Sequence, residues 1–260
     1  MPSYAVVGAS RGIGLEFVHQ LAKKPNTTVY AVVRNVASSL LEPVVAEHKN
    51  VHVIQGDVVD HRSMTRAAEA VFALSGGVLD VLIHNAARLD GAKIFRGYDD
   101  YTDLDELDED LIDAFKVNTL GIIHGVSAFL PLLRRGTTKK IIILSTVGAS
   151  PKYTVAWGAA TGVAYSITKA SGVMVAAKYA AGLKHEGFLV VSIHPGVVDT
   201  SGTAPEAGEW RDVAKAMTEA GLPAELLTPV RSVEAQLRLI DRLTPESNGA
   251  LLSYTGEEIA

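Results

Sequence analysis

The sequence predicts an α/β fold, a single domain on a doubly wound parallel sheet of about seven strands with helices on both faces. Short runs rich in β-branched residues alternate with helical segments along the chain. The runs are apolar at consecutive positions, which is typical of strands covered on both faces. Parallel strands joined through helices require right-handed crossovers. We therefore expect one domain over residues 1–260, with strand order 3-2-1-4-5-6-7.

Seven apolar runs account for the strands of this sheet. In chain order they are Tyr4–Val7, Thr28–Val33, Val51–Gln55, Leu79–His84, Lys140–Leu144, Leu189–His194 and Gly249–Tyr254. The segments between them have helical composition, and the predicted helices are Gly12–Lys23, a segment near Ala37–His48, His61–Leu74, Leu107–Leu133 and Tyr165–His185. The stretch 200–228 is irregular and contains Pro205, Gly208, Gly221 and Pro223. It predicts a mobile flap over a substrate.

The composition argues against several classes of function. With 48% hydrophobic and 20% charged residues, the chain suits a globular protein with a large core. A formal net charge of −5 without a strongly basic segment argues against nucleic-acid binding. There is no cysteine, hence no disulfide, thiolate nucleophile or Cys-based metal site. The eight histidines lack ligand spacing, and the acidic run Asp99–Asp110 fits a solvated loop and a helix start, so we expect no metal.

The chain also lacks the marks of export or of membrane insertion. It opens Met-Pro-Ser-Tyr-Ala-Val-Val-Gly, without the basic segment and long apolar region of a signal peptide. No uncharged apolar run reaches the length needed to span a bilayer. We therefore expect a cytoplasmic protein that acts on a small molecule, without a membrane partner.

Tyr165 and Lys169 are the most informative pair of residues. They stand four residues apart in a segment of small residues that predicts a helix, so they share one helical face. A fixed cation favours the phenolate and lowers a neighbouring phenol's pKa by roughly 1–3 units. Such a tyrosine can exchange a proton with a carbonyl or alcohol oxygen. Taken alone, the pair fits a surface contact better; the remaining motifs favour catalysis.

A glycine-rich turn predicts a nucleotide site. The first strand runs into a helix through Gly8-Ala9-Ser10-Arg11-Gly12-Ile13-Gly14. Gly8 permits the tight turn, and Gly12 and Gly14 let the backbone approach a pyrophosphate and the helix approach the sheet. Backbone N–H groups at that helix start face the phosphates.

The end of the second strand favours NADPH over NADH. An NAD site usually carries a carboxylate there for the ribose 2′-hydroxyl, whereas this strand ends in Arg34-Asn35. Arg34 can pair with a 2′-phosphate, and Arg11 lies within reach; the alternative is that both arginines are solvated. Asp57-Val58, after the third strand, offers a carboxylate to the adenine. Asn85-Ala86, after the fourth, offers a ledge of small residues beside the ribose.

Together these motifs resemble the short-chain dehydrogenase/reductase family, whose fold is the Rossmann type, over nearly the whole chain. The family's tetrad falls on Asn118, Ser145, Tyr165 and Lys169. Its Pro-Gly segment falls on Pro195-Gly196-Val197-Val198-Asp199-Thr200. The sequence departs from the family at Val7, where Thr is usual, and at His84-Asn85-Ala86-Ala87, where Asn-Asn-Ala-Gly is usual. The closing Tyr254-Thr255-Gly256-Glu257-Glu258-Ile259 resembles the C-factor/sniffer-like carbonyl reductases.

The resemblance implies a role for each of these residues. Ser145 would hydrogen-bond the reacting oxygen, and Tyr165 would supply the proton. Lys169 would bond the nicotinamide ribose, and Asn118 would hold a water for proton resupply. Val198 and Thr200, with Pro195 and Gly196, would hold the nicotinamide. The Ala/Gly-rich face of the Tyr165–Leu183 helix fits a homodimer or homotetramer interface, or burial against its own sheet.

The segment between Ser145 and Tyr165 is longer than the family's usual dozen residues. The extra residues, within 151–162, should lie at the mouth of the site. Tyr153 and Trp157 are therefore candidates for a substrate wall, the alternative being a neutral surface loop. Tyr153 also competes for the catalytic role, but position 157 is Trp rather than Lys, so we favour Tyr165.

These inferences predict an NADPH-dependent reductase of a ketone or aldehyde. Three alternatives remain open at this stage. A methyltransferase would use the same glycine turn, but it would need an acid where Arg34 stands. An NADPH-binding sensor or a non-redox enzyme could keep the fold without the hydride transfer.

Overall fold

The apolar runs form a single parallel sheet in the computed structural model, which describes residues 1–37, 40–204, 214–215, 218 and 225–259. The strands are β1 Ser3–Val7, β2 Thr28–Val33, β3 Val51–Gln55, β4 Val81–His84, β5 Lys140–Leu144, β6 Leu189–His194, β7 Val197–Val198, β8 Leu226–Leu227 and β9 Leu251–Ser253. Seven of them pair in the order β3-β2-β1-β4-β5-β6-β9. Every pair in this sheet is parallel. The predicted fold class and strand order are confirmed.

Helices cover both faces of the sheet. They are α1 Gly12–Ala22, α2 Glu42–Glu47, α3 His61–Ser75, α4 Leu104–Phe115, α5 Gly121–Arg135, α6 Pro151–Trp157, α7 Val163–Leu183 and α8 Pro229–Arg242. Successive strand residues alternate between two apolar cores because side chains along a strand point to opposite faces. Ile142 and Val191 pack with α1 and α8. Ile143 and Val190 pack with α3, α5 and α7.

The long helix predicted over Leu107–Leu133 is two helices joined by a π turn. α4 and α5 meet through Lys116–Leu120, which contains Asn118. The whole run Leu104–Arg135 is, by length and composition, apolar enough to cross a membrane, but half of its most apolar window is buried in the fold. A core helix of a globular protein has the same property, so this run is weak evidence for a membrane span.

Several boundaries differ from the sequence prediction. The helix expected near 37–48 begins only at Glu42, where Pro43 occupies a first-turn position that needs no backbone N–H. The insertion after Ser145 contains helix α6. The short strands β7 and β8 pair in a separate small sheet that the sequence did not predict. Most of the predicted flap, including Pro205, Gly208, Gly221 and Pro223, lies outside the described residues.

Candidate active site

A cavity of about 820 Å³ opens at the carboxyl ends of the central strands. Ligands of open α/β sheets bind at this edge because the loops that follow the strands meet there. Most of the sequence-predicted site residues line this cavity: Gly8, Ser10, Arg11, Gly12, Ile13, Arg34, Asp57, Val58, Asn85, Ala86, Ser145, Trp157, Tyr165, Lys169, Pro195, Gly196, Val198 and Thr200. Gly14, Asn118 and Tyr153 lie outside its lining.

The glycine turn at the end of β1 has no room for a side chain at Gly8 or Gly14. Gly8 has φ +83°, and a Cβ atom there would lie 2.7 Å from the backbone nitrogen of Ala86. A Cβ atom on Gly14 would lie 2.1 Å from the carbonyl oxygen of Gly8. Asn85 donates from Nδ2 to the same oxygen at 2.8 Å. Gly14 therefore permits close packing of α1 on the sheet, and Asn85 holds the turn in addition to lining the cavity.

The start of α1 carries a contact that the sequence did not reveal. The N–H of Gly12 donates to Thr203 Oγ1 at 2.9 Å, across a separation of 191 residues. A Cβ atom on Gly12 would lie 3.3 Å from Cγ2 of Thr200. The residues just after β7 therefore close over the glycine turn. Sequence separation hides such a contact, because neither threonine belongs to the turn's motif.

Arg34 and Asp57, which the sequence predicts to contact a nucleotide, lie at the rim of the cavity, after β2 and β3. Arg34 is exposed and lines the cavity directly after β2, where no carboxylate stands. Asp57 follows β3, and its Oδ1 accepts from the backbone N–H of Val59 at 3.1 Å. Its own N–H donates to Ser63 Oγ at 3.0 Å. These bonds fix the loop so that Asp57 faces the cavity.

Ser145, Tyr165 and Lys169 converge on the inner end of the cavity. Ser145 follows β5 and is 4% exposed, and its Oγ is buried with no hydrogen-bond partner among the described residues. Tyr165 and Lys169 lie one turn apart on α7, with the lysine Nζ 5.8 Å from the centre of the phenol ring. Lys169 donates from Nζ to the carbonyl oxygen of Leu144 at 2.7 Å, which holds the ammonium beneath the serine.

The pKa values of this pair differ from the sequence-based expectation. Burial raises the pKa of Tyr165 to about 12 and lowers the pKa of Lys169 to about 8. The expected lowering of the tyrosine's pKa by Lys169 is wrong for this structure. Both groups are withdrawn from water, and the loss of hydration penalises whichever form carries charge. That loss outweighs the attraction between an ammonium and a phenolate at this separation.

Asn118 lies in the π turn, and its side-chain amide is hydrogen-bonded to other groups of the protein. Its Oδ1 accepts from the backbone N–H of Arg88 at 2.7 Å. Its Nδ2 donates to the carbonyl oxygen of Arg88 at 3.1 Å and to Thr168 Oγ1 at 3.0 Å. The amide thus ties the loop after β4 to the helix that carries Tyr165 and Lys169. Its role in holding a water remains a prediction.

The insertion after Ser145 supplies one wall of the cavity. Ser150 caps α6 through its side chain, and Gly158 ends the helix with φ +60°. Trp157 lines the cavity, as expected. Tyr153 does not: its ring packs edge-on against Trp157, with ring centres 4.8 Å apart. Tyr153 thus supports the tryptophan and does not itself form the wall.

The facing wall comes from the segment after β4. Ile94 and Phe95 line the cavity there. Arg88 anchors this segment through a 2.6 Å contact from Nη1 to Oδ1 of Asp110, which is 2% exposed. Tyr101 donates its hydroxyl to the same carboxylate at 2.8 Å. The acidic run was expected to be solvated, and Asp110 is the exception because an arginine and a phenol satisfy it.

The acidic run includes a helix start, as the sequence predicted. Asp103 caps the helix by accepting from the N–H of Glu106 at 2.9 Å. Asp105 and Glu106 lie in the first turn, where negative charge is favourable. No group of three or more potential metal ligands occurs in the part of the chain that the structure describes.

Two histidines lie near the site, of which His84 is buried and His194 is half-buried. His84 ends β4, and its Nε2 lies 3.1 Å from the carbonyl oxygen of Gly121. His194 ends β6 and lines the cavity, and its Nδ1 is buried and has no hydrogen-bond partner in the part of the chain that the structure describes. Burial lowers the pKa of each imidazole to about 4. Both rings are therefore neutral at physiological pH.

Comparisons of the sequence identify relatives over its full length. The profile of the short chain dehydrogenase family matches residues 3–211. The short-chain dehydrogenase/reductase atnB of an Arthrinium species is 38% identical over 99% of this chain and 98% of its own. The short-chain dehydrogenase/reductase AacuF of Aspergillus aculeatus is 37% identical over 99% of both chains.

Solved structures share the fold of this chain. The NADPH-bound carbonyl reductase from chicken fatty liver has a TM-score of 0.83 and 26% identity, covering 100% of this chain and 99% of that chain. The carbonyl reductase Sniffer of D. melanogaster has a TM-score of 0.82 with the same coverage, and its 21% identity shows the fold alone. The length and identity of the sequence matches show that this chain is an oxidoreductase belonging to the short-chain dehydrogenase/reductase family.

Proposed function

We propose that the protein is an NADPH-dependent carbonyl reductase that delivers hydride to a ketone or aldehyde, with Tyr165 as the general acid. One observation carries the proposal. Ser145 and Lys169, which are buried, and Tyr165, which is half-buried, meet at the inner end of the same cavity whose outer end is the glycine turn. An extended dinucleotide that fills the outer end would place its reactive ring beside the serine and the tyrosine.

The residues present fit a nicotinamide dinucleotide, the cofactor class that this family uses. At Gly8 and Gly14 the turn leaves no room for a side chain, and Ser145 Oγ is a buried polar atom without a partner among the described residues. We assign the pyrophosphate to the turn Gly8–Gly14, the adenine to Asp57 and Val58, and the nicotinamide to Pro195–Thr200. When bound, the reduced nicotinamide supplies a hydride.

The preference for NADPH rests on charge at the rim. Arg34 and Arg11 line the outer end of the cavity, where a 2′-phosphate would lie. A guanidinium can pair with phosphate through two parallel hydrogen bonds. The chicken carbonyl reductase that resembles this chain is NADPH-bound, which supports the same assignment.

The protein's own groups suit the reductive direction. Because burial raises the pKa of Tyr165 to about 12, the phenol keeps its proton at neutral pH and can donate it to the developing alkoxide. Ser145 donates a second hydrogen bond to the same oxygen. Lys169, with a pKa of about 8, is cationic at neutral pH and stabilises the phenolate that proton transfer leaves behind. We also propose that Lys169 bonds the nicotinamide ribose and that a water near Asn118 resupplies the proton.

Replacement of Tyr165 by Phe tests the function. We expect NADPH oxidation with a panel of ketones and aldehydes to fall by about 10²–10⁴-fold, as is typical when a general acid is removed. NADPH affinity, measured by fluorescence titration, should change little. Tyr179→Phe is the matched control, because Tyr179 lies on the same helix and bonds Ser127 away from the cavity.

Two results would contradict the proposal. Unchanged turnover in Tyr165→Phe would place the proton donor elsewhere. If the unmodified protein oxidised no NADPH with any carbonyl while still binding it, a cofactor sensor or a non-redox enzyme would be the better description. Absorbance of the reduced nicotinamide reads both outcomes directly.

A further inference from the structure

His194 and Ser145 share an unusual feature. The Nδ1 of His194 and the Oγ of Ser145 are both buried, and neither has a hydrogen-bond partner within the part of the chain that the structure describes. Both residues line the inner end of the cavity. A buried polar atom without a partner loses its hydration and gains nothing in return, so such atoms are rare in native proteins.

The two residues are neighbours on adjacent strands. Leu144 of β5 is in register with Ile193 of β6. The ladder continues one step further, since the N–H of Ser145 donates to the carbonyl oxygen of Ile193 at 2.8 Å. Paired strands lie about 4.8 Å apart. Ser145 and His194 therefore follow their strands side by side.

Their side chains also point the same way. Along a strand, alternate residues share a face, so Ser145 belongs with Ile143 and His194 with Val190. Ile143 and Val190 both pack in the core that includes α7. The serine and the histidine thus face the helix that carries Tyr165, side by side on the same face of the sheet.

The chemistry of the two groups fixes the direction of a hydrogen bond between them. Burial keeps the imidazole neutral by lowering the pKa of His194 to about 4, so one ring nitrogen carries a hydrogen. A serine hydroxyl has one hydrogen and two lone pairs. If the serine donated to the histidine, it would have no hydrogen left for the substrate. If Nδ1–H donates to Oγ, the serine hydrogen stays available.

We propose that His194 is a positioning residue that donates a hydrogen bond from Nδ1 to Ser145 Oγ and thereby directs the serine hydrogen at the reacting carbonyl oxygen. Its kinetic consequence rests on the proposed carbonyl reductase function. Chains of hydrogen bonds polarise one another, so the bond also makes Ser145 a stronger donor.

Three substitutions separate the two ring nitrogens. In Asn, the side-chain nitrogen is as many bonds from Cα as Nδ1, and in Gln it is as far as Nε2. We expect kcat to fall about tenfold in His194→Phe and in His194→Gln, the loss of one hydrogen bond. His194→Asn should restore most of the activity. A loss shared equally by all three variants, or no loss in His194→Phe, overturns the proposal.

Ser192→Ala is the matched control. Ser192 lies on the same strand and face, two residues before His194, and its Oγ is also buried without a partner. It does not line the cavity, and its register partner is the apolar Ile143. We expect kcat to stay unchanged. A tenfold loss in this variant would show that any buried polar group of β6 matters, and would overturn the specific role of His194.

A double-mutant cycle with Ser145→Ala identifies the route of the effect. If His194 acts through Ser145, His194→Phe should lower kcat no further once the serine is absent. If the tenfold loss persists in the Ser145→Ala background, the histidine contacts the substrate or the packing directly, and the proposal fails.

A spectroscopic readout separates this proposal from the proposed function. In protein labelled with ¹⁵N at histidine, we expect a protonated, slowly exchanging Nδ1 for His194 that changes in Ser145→Ala. That result would support the hydrogen bond even if no carbonyl were reduced, and would then count against the reductase function only. A hydrogen found on Nε2 instead would overturn the proposal, whatever the activity.

Discussion

The outer and inner ends of the cavity are built by different means. At the outer end, backbone segments are in direct contact. A Cβ atom added to Gly14 would lie 2.1 Å from the Gly8 carbonyl oxygen, and one added to Gly8 would lie 2.7 Å from the backbone of Ala86. At the inner end, where we expect the substrate, the walls are side chains such as Trp157 and Phe95. The segments that carry these side chains are held in place by contacts elsewhere. The first kind of surface tolerates almost no variation, whereas the second can change its shape residue by residue. Members of one protein family can therefore share a cofactor site and bind different substrates.

The largest effect is expected from Gly14→Ala at the outer end. The new methyl group would overlap the Gly8 carbonyl and the Asn85 amide, which are both fixed by the turn. Overpacking of this kind costs about 1–3 kcal/mol or more of unfolding free energy. We expect that loss in urea unfolding, together with a loss of NADPH binding, because the turn must open to admit the methyl group.

Gly182→Ala is the control for this substitution. Gly182 lies on α7, and a Cβ there would meet nothing within 4 Å. Alanine favours a helix over glycine by about 1 kcal/mol, so this variant should be as stable or more stable. If Gly14→Ala kept full NADPH affinity, the steric account of the outer end would be wrong.

A smaller effect is expected from Arg34→Glu, at the rim of the same end. A charge-assisted hydrogen bond contributes about 1.5–3 kcal/mol, and a carboxylate in its place would repel the 2′-phosphate. We expect the preference for NADPH over NADH, as a ratio of kcat/KM values, to fall by about 100-fold or more. The exposed Arg62→Glu on α3 controls for the change in net charge. A preference that survives in Arg34→Glu would leave the 2′-phosphate assignment without support.

The same contrast explains what the sequence could predict. Glycine spacing, apolar runs and the Tyr165–Lys169 quintet are local, so the strand order, the turn and the catalytic helix follow from the sequence alone. The Gly12–Thr203 bond and the burial of Asp110 depend on contacts between distant segments. The direction of the Tyr165 pKa shift depends on burial, which no local motif encodes.

At the inner end, Trp157→Ala should change KM for bulky ketones by about tenfold. The indole lines the cavity, and truncation of a buried aromatic side chain removes apolar contact with a ligand. We expect KM for bulky aromatic ketones to rise about tenfold and KM for a small ketone to change little. Val155→Ala on the same helix is the control, because Val155 is 82% exposed and outside the cavity. Equal effects on large and small ketones would mean that Trp157 supports the fold and not the substrate.

The smallest effect concerns His84, which ends β4 beneath the cavity edge of the sheet, at a position where the family usually has Asn. Burial, and then the charge of Lys169, lowers its pKa from 6.5 to about 4. Between these values the unfolded chain binds a proton that the folded chain does not, so stability is full above pH 6.5 and falls as pH drops towards 4. Between about pH 7.5 and 5.5 this one group should lower the free energy of unfolding by roughly 1 kcal/mol. Urea unfolding at a series of pH values should show a shallower acid slope in His84→Asn. Loss of the hydrogen bond to Gly121 would shift stability equally at every pH, so only a change of slope reports the titration. An unchanged slope would mean that His84 reaches water in the folded protein, and that the packing of β4 against α5 around Gly121 and Gly125 is looser than the contacts there imply.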